Sequence, residues 1–210
     1  LSDTNNPLLK RLSKEAPGTF QHTMQVANLA EYATELVGGN TLLVRTGALY
    51  HDIGKIANPQ YFTENQTSTA SPHDELSYLE SAEIIIGHVA DGIELAKKQR
   101  LPDIVVDFIR THHGTSRVEY FYRKFKEDHP DASQFESFQY PGPKPFSKET
   151  AIVMMSDAVE ASTRSLPEKT QSNLNEMIDK VIDHQLTTGQ YDNADITLKD
   201  INTIKEAFKK

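Results

Sequence analysis

The 210-residue chain is 37% hydrophobic and 25% charged, a composition that supports one compact domain with an apolar core and lies outside the regime of disorder. Its formal net charge of −8 argues against a long nucleic-acid duplex as partner, which needs a basic stripe, but not against a small anionic ligand, because bound metal adds positive charge that no side-chain count includes. Cysteine is absent, so disulfides, zinc-thiolate sites and iron-sulfur clusters are excluded and any metal must take nitrogen and oxygen ligands.

No apolar run reaches the roughly 20 residues a membrane helix needs, and no charged-then-apolar leader opens the chain, which reads as soluble. It begins on Leu1 rather than Met, which reads as an excised fragment of something longer, with processing of the start as the competing reading.

In chain order, the polar stretch Leu1 to Glu15 reads as a linker or short helix. A helix starts at Pro17, a residue suited to a first turn, and carries Phe20, Val26, Leu29, Ala30, Ala33 and Leu36 at helical spacing until Gly38 and Gly39 end it. His22, four residues before Val26, points inward with that stripe. A second helix follows the Asn40-Thr41 cap and runs through Leu42, Leu43, Ala48 and Leu49 to His51-Asp52-Ile53-Gly54-Lys55, with Pro59 breaking the pattern.

Residues 60 to 75 read as a polar loop. Leu79, Ala82, Ile85, Ile86, Val89, Ile93 and Leu95 then indicate helix around His88, with an interruption expected near Gly87 or Gly92. Leu101-Pro102 opens a helix that closes on His112-His113-Gly114. Residues 118 to 127 form an aromatic amphipathic helix, and 129 to 147 a long segment holding four of the ten prolines. Ser147 caps an apolar helix through Ala151, Ile152, Met154, Met155, Ala158 and Val159 with Asp157 embedded in it, and helices near 170 to 186 and 197 to 209 complete the chain. No strand alternation, internal repeat or low-complexity tract competes with this pattern, so the fold class is all-α with a single domain.

Five of the eight histidines, His22, His51, His88, His112 and His113, fall in or beside apolar helices, and Asp52 and Asp157 join them. One buried histidine is more often a hydrogen-bonded core residue than a ligand. Five with two carboxylates cannot be absorbed by a helical core unpaired, since each buried polar group without a partner costs roughly 1–3 kcal/mol. Metal ions satisfy them together, and ligands gathered from facing helices are how helical bundles build such sites. Imidazole and carboxylate without thiolate suit iron, manganese, zinc or similar ions. Neighbouring helical residues diverge by about 100°, so a His-Asp or His-His pair at a helix end can address two adjacent ions. His73, His129 and His184 lie off this set and read as non-ligands.

The distant histidines, the His51-Asp52 pair and the late Asp157 resemble the HD phosphohydrolase superfamily. The longer string His51-Asp52-Ile53-Gly54-Lys55-Ile56-Ala57-Asn58-Pro59, with Phe62-Thr63-Glu64-Asn65-Gln66, His112-His113-Gly114-Thr115, Tyr140-Pro141-Gly142-Pro143-Lys144-Pro145 and Ser156-Asp157-Ala158-Val159-Glu160-Ala161, is similar to one branch. That branch is the cytoplasmic catalytic domain of the seven-transmembrane HD proteins of PgpH type. The resemblance runs from about Ala16 to Leu166. It implies an HD-domain helical bundle over 16–210, with a core over 16–166 and C-terminal helices over 167–210, and makes 1–15 the link to a last membrane helix. It further implies that His22, His51 and Asp157 hold one divalent ion, that His88, His112 and His113 hold a second, that Asp52 bridges both, and that the ions are iron or manganese.

The activity implied is hydrolysis of cyclic di-AMP to linear 5′-pApA by a bridging hydroxide formed between two ions on the order of 3.5–4 Å apart. Alternative readings are an HD enzyme acting on another nucleotide such as cyclic di-GMP, or a nucleotide-binding sensor without turnover. In the cyclic di-GMP branch the His-His pair is followed by a Glu and a Gly-Tyr-Pro element, whereas Gly114-Thr115-Ser116 follows here. The intact ligand set argues against a sensor. The resemblance also implies a cytoplasmic domain of a bacterial inner or plasma membrane protein, and a homodimer stays open as its assembly.

Lys55 lies four residues after His51 and three after Asp52, over the same face, where its ammonium is positioned to stabilise charge on a phosphate; the alternative is a solvated lysine at a helix C-terminus. Glu64, Asn65, Tyr120, Lys144 and Arg164 are candidates for contacting the nucleotide, each with an ordinary loop or surface role as the competing reading. Tyr120, Phe121 and Tyr122 offer faces for stacking on adenine, against a competing role in core packing.

Overall fold

The computed structural model describes residues 1–133 and 135–210. Among them, helices account for the regular structure: α1 (Pro7–Glu15), α2 (Pro17–Val37), α3 (Thr41–Tyr50), α4 (Tyr78–Lys98), α5 (Asp103–Thr111), α6 (Glu119–Asp128), α7 (Lys148–Arg164), α8 (Gln171–Thr187) and α9 (Leu198–Phe208). The only extended pairing among the described residues is a single antiparallel bridge between Arg117 and Gln139.

Helix α2 is the axis of the bundle, touching α1, α3, α7 and α9. It does so because its inward stripe is small: Ala27, Ala30 and Ala33 are fully buried beside Val26, which lets neighbouring backbones approach closely. Helix α1 covers one end of this core with Leu8, Leu9 and Leu12, each buried and each contributing about 1.5–3 kcal/mol of transfer free energy. The N-terminal stretch is therefore helical and packed over Pro7–Glu15.

Starts are locally encoded. Asn40 accepts the Leu43 N–H to cap α3, and Ser77 with Glu80, Ser147 with Thr150 and Thr197 with Asp200 form reciprocal capping boxes for α4, α7 and α9. The interruption expected in the helix around His88 does not occur, for α4 runs unbroken over 21 residues. Gly92 serves a tertiary purpose instead: a Cβ there would stand 2.8 Å from the Ile109 side chain and 3.3 Å from the Gly54 nitrogen. The loop over 60–75 is also more ordered than its polarity suggests, carrying 3-10 turns at Thr63–Asn65 and Pro72–Glu75.

The proline-rich segment after α6 is fastened at two points. Val118 donates to the Phe138 carbonyl at 2.7 Å and Tyr140 to the Ser116 carbonyl at 2.8 Å, which buries Phe138 and lays Tyr140 beside the end of α5. Phe138, Phe125 and Ala82 form a small second core under α6, separate from the main one.

Candidate metal centre

Two backbone approaches bring the chemistry-bearing residues together. After α3 the chain tightens into a 3-10 turn, Ile53–Ala57, that lies against α4, and a Cβ on Gly54 would fall 1.8 Å from the His88 carbonyl oxygen. Only glycine permits that contact, which sets His88 beside the His51-Asp52 pair. Likewise a Cβ on Gly18 would fall 1.8 Å from the Glu64 carbonyl, and the turn holding Glu64 is clasped to the start of α2: Asn65 accepts the Thr19 N–H at 3.0 Å and donates to the Thr19 hydroxyl at 2.8 Å.

Seven side chains then converge. Ligand-type atoms of His22, His51, Asp52 and Asp157 lie within 4.8 Å of one another, and so do those of Asp52, His88, His112 and His113, with Asp52 common to both groups. Its two oxygens face different ways. Oδ1 is 3.3 Å from both His88 Nε2 and His112 Nε2, whereas Oδ2 is 3.4 Å from His51 Nε2, 3.5 Å from His22 Nε2 and 2.8 Å from Lys55 Nζ.

Three of the imidazoles are aimed by the same device. Nδ1 of His51, His88 and His112 lies 2.6, 2.5 and 2.8 Å from the carbonyl three residues earlier, Ala48, Ile85 and Ile109 respectively. A carbonyl only accepts, so each Nδ1 carries the proton and each Nε2 turns a lone pair toward the centre. His51 and His112 stand just past the ends of α3 and α5, where such carbonyls lack helical partners. His22 is held differently, with Nε2 2.8 Å from Asp157 Oδ1 and Nδ1 donating to Glu160. His113 is stacked on Tyr140, ring centroids 4.2 Å apart.

The electrostatics follow from this geometry. Burial opposes ionisation of Asp52, yet Lys55 and His51 hold its carboxyl well below the usual range; burial likewise opposes Asp157, which His22 and His51 hold well below that range. Burial also works against a charged His22, but its bonds to Asp157 and Glu160 outweigh this and push its pKa up to about 9. Burial pushes His112 down, and His113 well down with the neighbouring His112 adding to the effect, so both rings are neutral at pH 7 with lone pairs available. Lys55 stays charged despite burial because Asp52 and Glu64 flank it, the latter at 2.8 Å.

Both Asp52 oxygens and His51 Nε2 are buried without a well-formed hydrogen bond. Such orphaned atoms are costly unless an ion takes them, and the donor set is imidazole and carboxylate throughout, which fits divalent metal. The residues of this chain therefore form His/Asp groups able to bind metal.

The other candidates are distributed around this centre. Lys55, Glu64 and Arg164 line the cavity of about 540 Å³ that opens onto His22, His112, His113 and Asp157. Glu64 is engaged with Lys55 and with the Thr19 hydroxyl, and Arg164 Nη1 lies 3.1 Å from Glu160 Oε2. Asn65 spends its amide on Thr19 and the Pro59 carbonyl. Tyr120 lines a neighbouring cavity, and Lys144 pairs with Asp192 at 3.7 Å away from both. His73 Nε2 donates to the Tyr61 carbonyl at 2.8 Å, outside either cluster. Residues that the sequence reading did not single out are Glu160, Tyr140 and the cations Arg117, Arg123 and Lys180 on the cavity wall. Glu160 was detectable as the residue one helical turn after Asp157, whereas Tyr140 and the cations are brought in only by tertiary folding.

A family model for the HD domain matches residues 19–162. The chain is 45% identical over 208 residues to the cyclic-di-AMP phosphodiesterase PgpH of Listeria monocytogenes, a match spanning 99% of this chain and 29% of that protein. It is equally 45% identical over 208 residues to the PgpH of Bacillus subtilis, again spanning 29% of the relative's length. The crystal structure of the L. monocytogenes PgpH HD domain in complex with cyclic di-AMP superposes with a TM-score of 0.95 at 44% identity, covering 99% of this chain and 96% of that one.

Proposed function

The chain belongs to the HD domain family, and from that premise we propose that it is a metal-dependent phosphodiesterase that hydrolyses cyclic di-AMP to linear 5′-pApA. The observation that carries this reading is Asp52, buried between two histidine groups with each oxygen turned to a different one, beside a cavity onto which His22, His112, His113 and Asp157 open and which Arg117, Arg123, Arg164 and Lys180 also line. Similarity to PgpH proteins and to an HD domain crystallised with cyclic di-AMP supplies the substrate.

Two divalent ions, iron or manganese, are the expected cofactors: His22, His51 and Asp157 for one, His88, His112 and His113 for the other, and Asp52 for both. When bound, such ions polarise phosphate oxygens and acidify water. The chain's own residues supply the rest. The Nδ1–H bonds of His51, His88 and His112 fix ring orientation before substrate arrives, so no reorganisation is required during the reaction. Glu160 performs the same service for His22.

Lys55 Nζ donates to Glu64 and lies 2.8 Å from Asp52 Oδ2 as an ion pair, and its ammonium has a further N–H for a phosphate oxygen as charge develops there. Water adds to phosphorus, one ester P–O bond breaks, and the 3′-oxygen leaves with a proton, giving the linear 5′-phosphorylated dinucleotide. Glu64, Arg164, Asn65, Tyr120 and Lys144 remain the proposed nucleotide contacts, with Arg164 and Glu64 nearest the reacting centre.

No helix of the described residues is long and apolar enough to cross a membrane. The chain spans 29% of the length of its curated relatives. We place it as the cytoplasmic part of a longer protein anchored in a bacterial inner or plasma membrane.

Metal analysis of the purified domain coupled to turnover of cyclic di-AMP, cyclic di-GMP and mononucleotides tests this reading. About two ions per chain and a preference for cyclic di-AMP are expected. Equal or better turnover of another nucleotide would reassign the substrate, and binding without turnover would make the domain a sensor.

A further inference from the structure

His113 stands apart from the other proposed ligands of its group. His88 and His112 carry their own anchors three residues back and are aimed by the local chain. Among the described residues the His113 ring makes no hydrogen bond; its Nδ1 lies 4.0 Å from Asp157 Oδ2, and 26% of its side-chain surface is open. The stack on Tyr140 restrains the plane of the ring but not the backbone that carries it. That backbone has left α5 and enters a turn at Gly114, where φ is +50°, so the direction of His113 depends on how the turn is held.

Two remote amides hold it. Gln139 Nε2 donates to the Thr115 carbonyl at 2.8 Å from the proline-rich segment. Gln190, in the bend between α8 and α9, does more. Its Oε1 accepts the Thr115 N–H at 3.0 Å and lies 3.3 Å from the Thr115 hydroxyl, while its Nε2 lies 3.2 Å from that hydroxyl. Gln190 is buried, and a buried primary amide is tolerated where its donors and acceptors are met. A Cβ on Gly114 would fall 2.5 Å from Oε1, so the amide lies directly over the residue next to His113. The bend is itself tied down: Gln190 N–H donates to the Gln185 carbonyl at 2.9 Å, and the Tyr191 hydroxyl donates to the Gln185 side chain. Gln185 Nε2 in turn reaches the carbonyl of Met154, three residues before Asp157, at 3.5 Å.

We propose that Gln190 is a positioning residue for the second ion: by clasping Thr115 it sets the turn that aims His113, and so couples the bend between α8 and α9 to the metal centre. The proposal rests on the metal-binding reading above and gives the C-terminal helices a part in it. A ligand ring whose backbone is free to swing lacks the preorganisation that outer partners supply to metal-binding histidines, and the ion it holds is bound more weakly. A tie that merely fastened the bend to the bundle would, when cut, lower stability and leave the His113 ring where it was.

The test compares Gln190→Ala, Thr115→Val and Tyr191→Phe with the parent domain. Thr115→Val removes the hydroxyl arm of the clasp alone, and Tyr191→Phe loosens the bend without touching the turn. In the folded, metal-free proteins the imidazole NMR resonances of His113, assigned by their loss in His113→Ala, should move or broaden in Gln190→Ala and keep their place in Tyr191→Phe, with those of His51 constant in both. Calorimetric titration with Mn²⁺ should show one of two ions bound about 10- to 100-fold more weakly in Gln190→Ala, less so in Thr115→Val, and at the parent affinity in Tyr191→Phe. Unmoved His113 resonances, or both affinities within about twofold of the parent, overturn the clasp alone, and so do equal losses in Tyr191→Phe. Should Gln190→Ala not fold, Thr115→Val against Tyr191→Phe decides by the same two measurements. A parent that binds no divalent ion overturns the metal reading on which the proposal rests.

Discussion

Lys55 Nζ lies 2.8 Å from Asp52 Oδ2, on the opposite side of that carboxylate from His88 and His112. The pair is buried, and Glu64 completes a carboxylate-ammonium-carboxylate chain running from the histidine clusters to the cavity wall. A cation in that position neutralises both carboxylates, and its proposed part in the reaction separates from that role experimentally.

Lys55→Met should destabilise the metal-free domain by about 3–5 kcal/mol in urea unfolding, because two buried carboxylates lose their counter-charge. With metal restored, kcat should fall about 100-fold at unchanged metal content, the scale for deleting one preorganised charge-stabilising donor. Full turnover at full metal content removes Lys55 from the reaction.

Glu160→Gln keeps the shape of the side chain but weakens the hold on His22 Nδ1. Metal affinity should drop about 10- to 100-fold, the range seen for outer partners of metal-binding histidines, and lost turnover should return as metal is added. Calorimetric titration of the metal-free variant reads this directly. An unchanged affinity would make Glu160 a partner of Arg164 only.

The pH dependence of stability should invert with metal. In the metal-free domain the His22 pKa is raised from 6.5 to about 9, so its protonated form is favoured by folding; that stability is fully present below about 6.5 and is lost as pH rises through about 9. With metal bound the proton is displaced instead, so apparent metal affinity should climb with pH across the same window by about tenfold per unit for each proton released. Thermal melts from pH 6 to 9.5, with and without metal, should slope in opposite directions. Parallel slopes would show that His22 neither gains its proton on folding nor yields it to an ion.

Gly54→Ala should be severely destabilising, above about 4 kcal/mol, and should abolish metal retention, since the added methyl would overlap the His88 carbonyl at 1.8 Å and both partners are backbone. Circular dichroism with metal analysis checks this. A folded, metal-replete alanine variant would mean that the turn and α4 can part without consequence.

Much of this arrangement is legible in the sequence where signals are local. Inward histidines on apolar stripes, the Ser77 and Ser147 caps and the apolar run around Asp157 each depend on neighbours a few residues away. Gly92 misleads because helix propensity penalises glycine whereas its packing against Gly54 and Ile109 requires it. Lys144 sits in a motif-like stretch yet turns to Asp192, and Asn65 is used up in clasping Thr19, facts about folding partners more than forty residues distant. The hold of Gln190 on Thr115 is likewise invisible in the local sequence, because the two residues stand 75 positions apart and meet only in three dimensions.

The repeated link from imidazole Nδ1 to the carbonyl three residues back makes His51, His88 and His112 self-contained. Each ring carries its own gunsight within a four-residue stretch, independent of which loop or helix passes nearby. A substitution in a neighbouring segment should therefore leave the direction of these three Nε2 lone pairs unchanged.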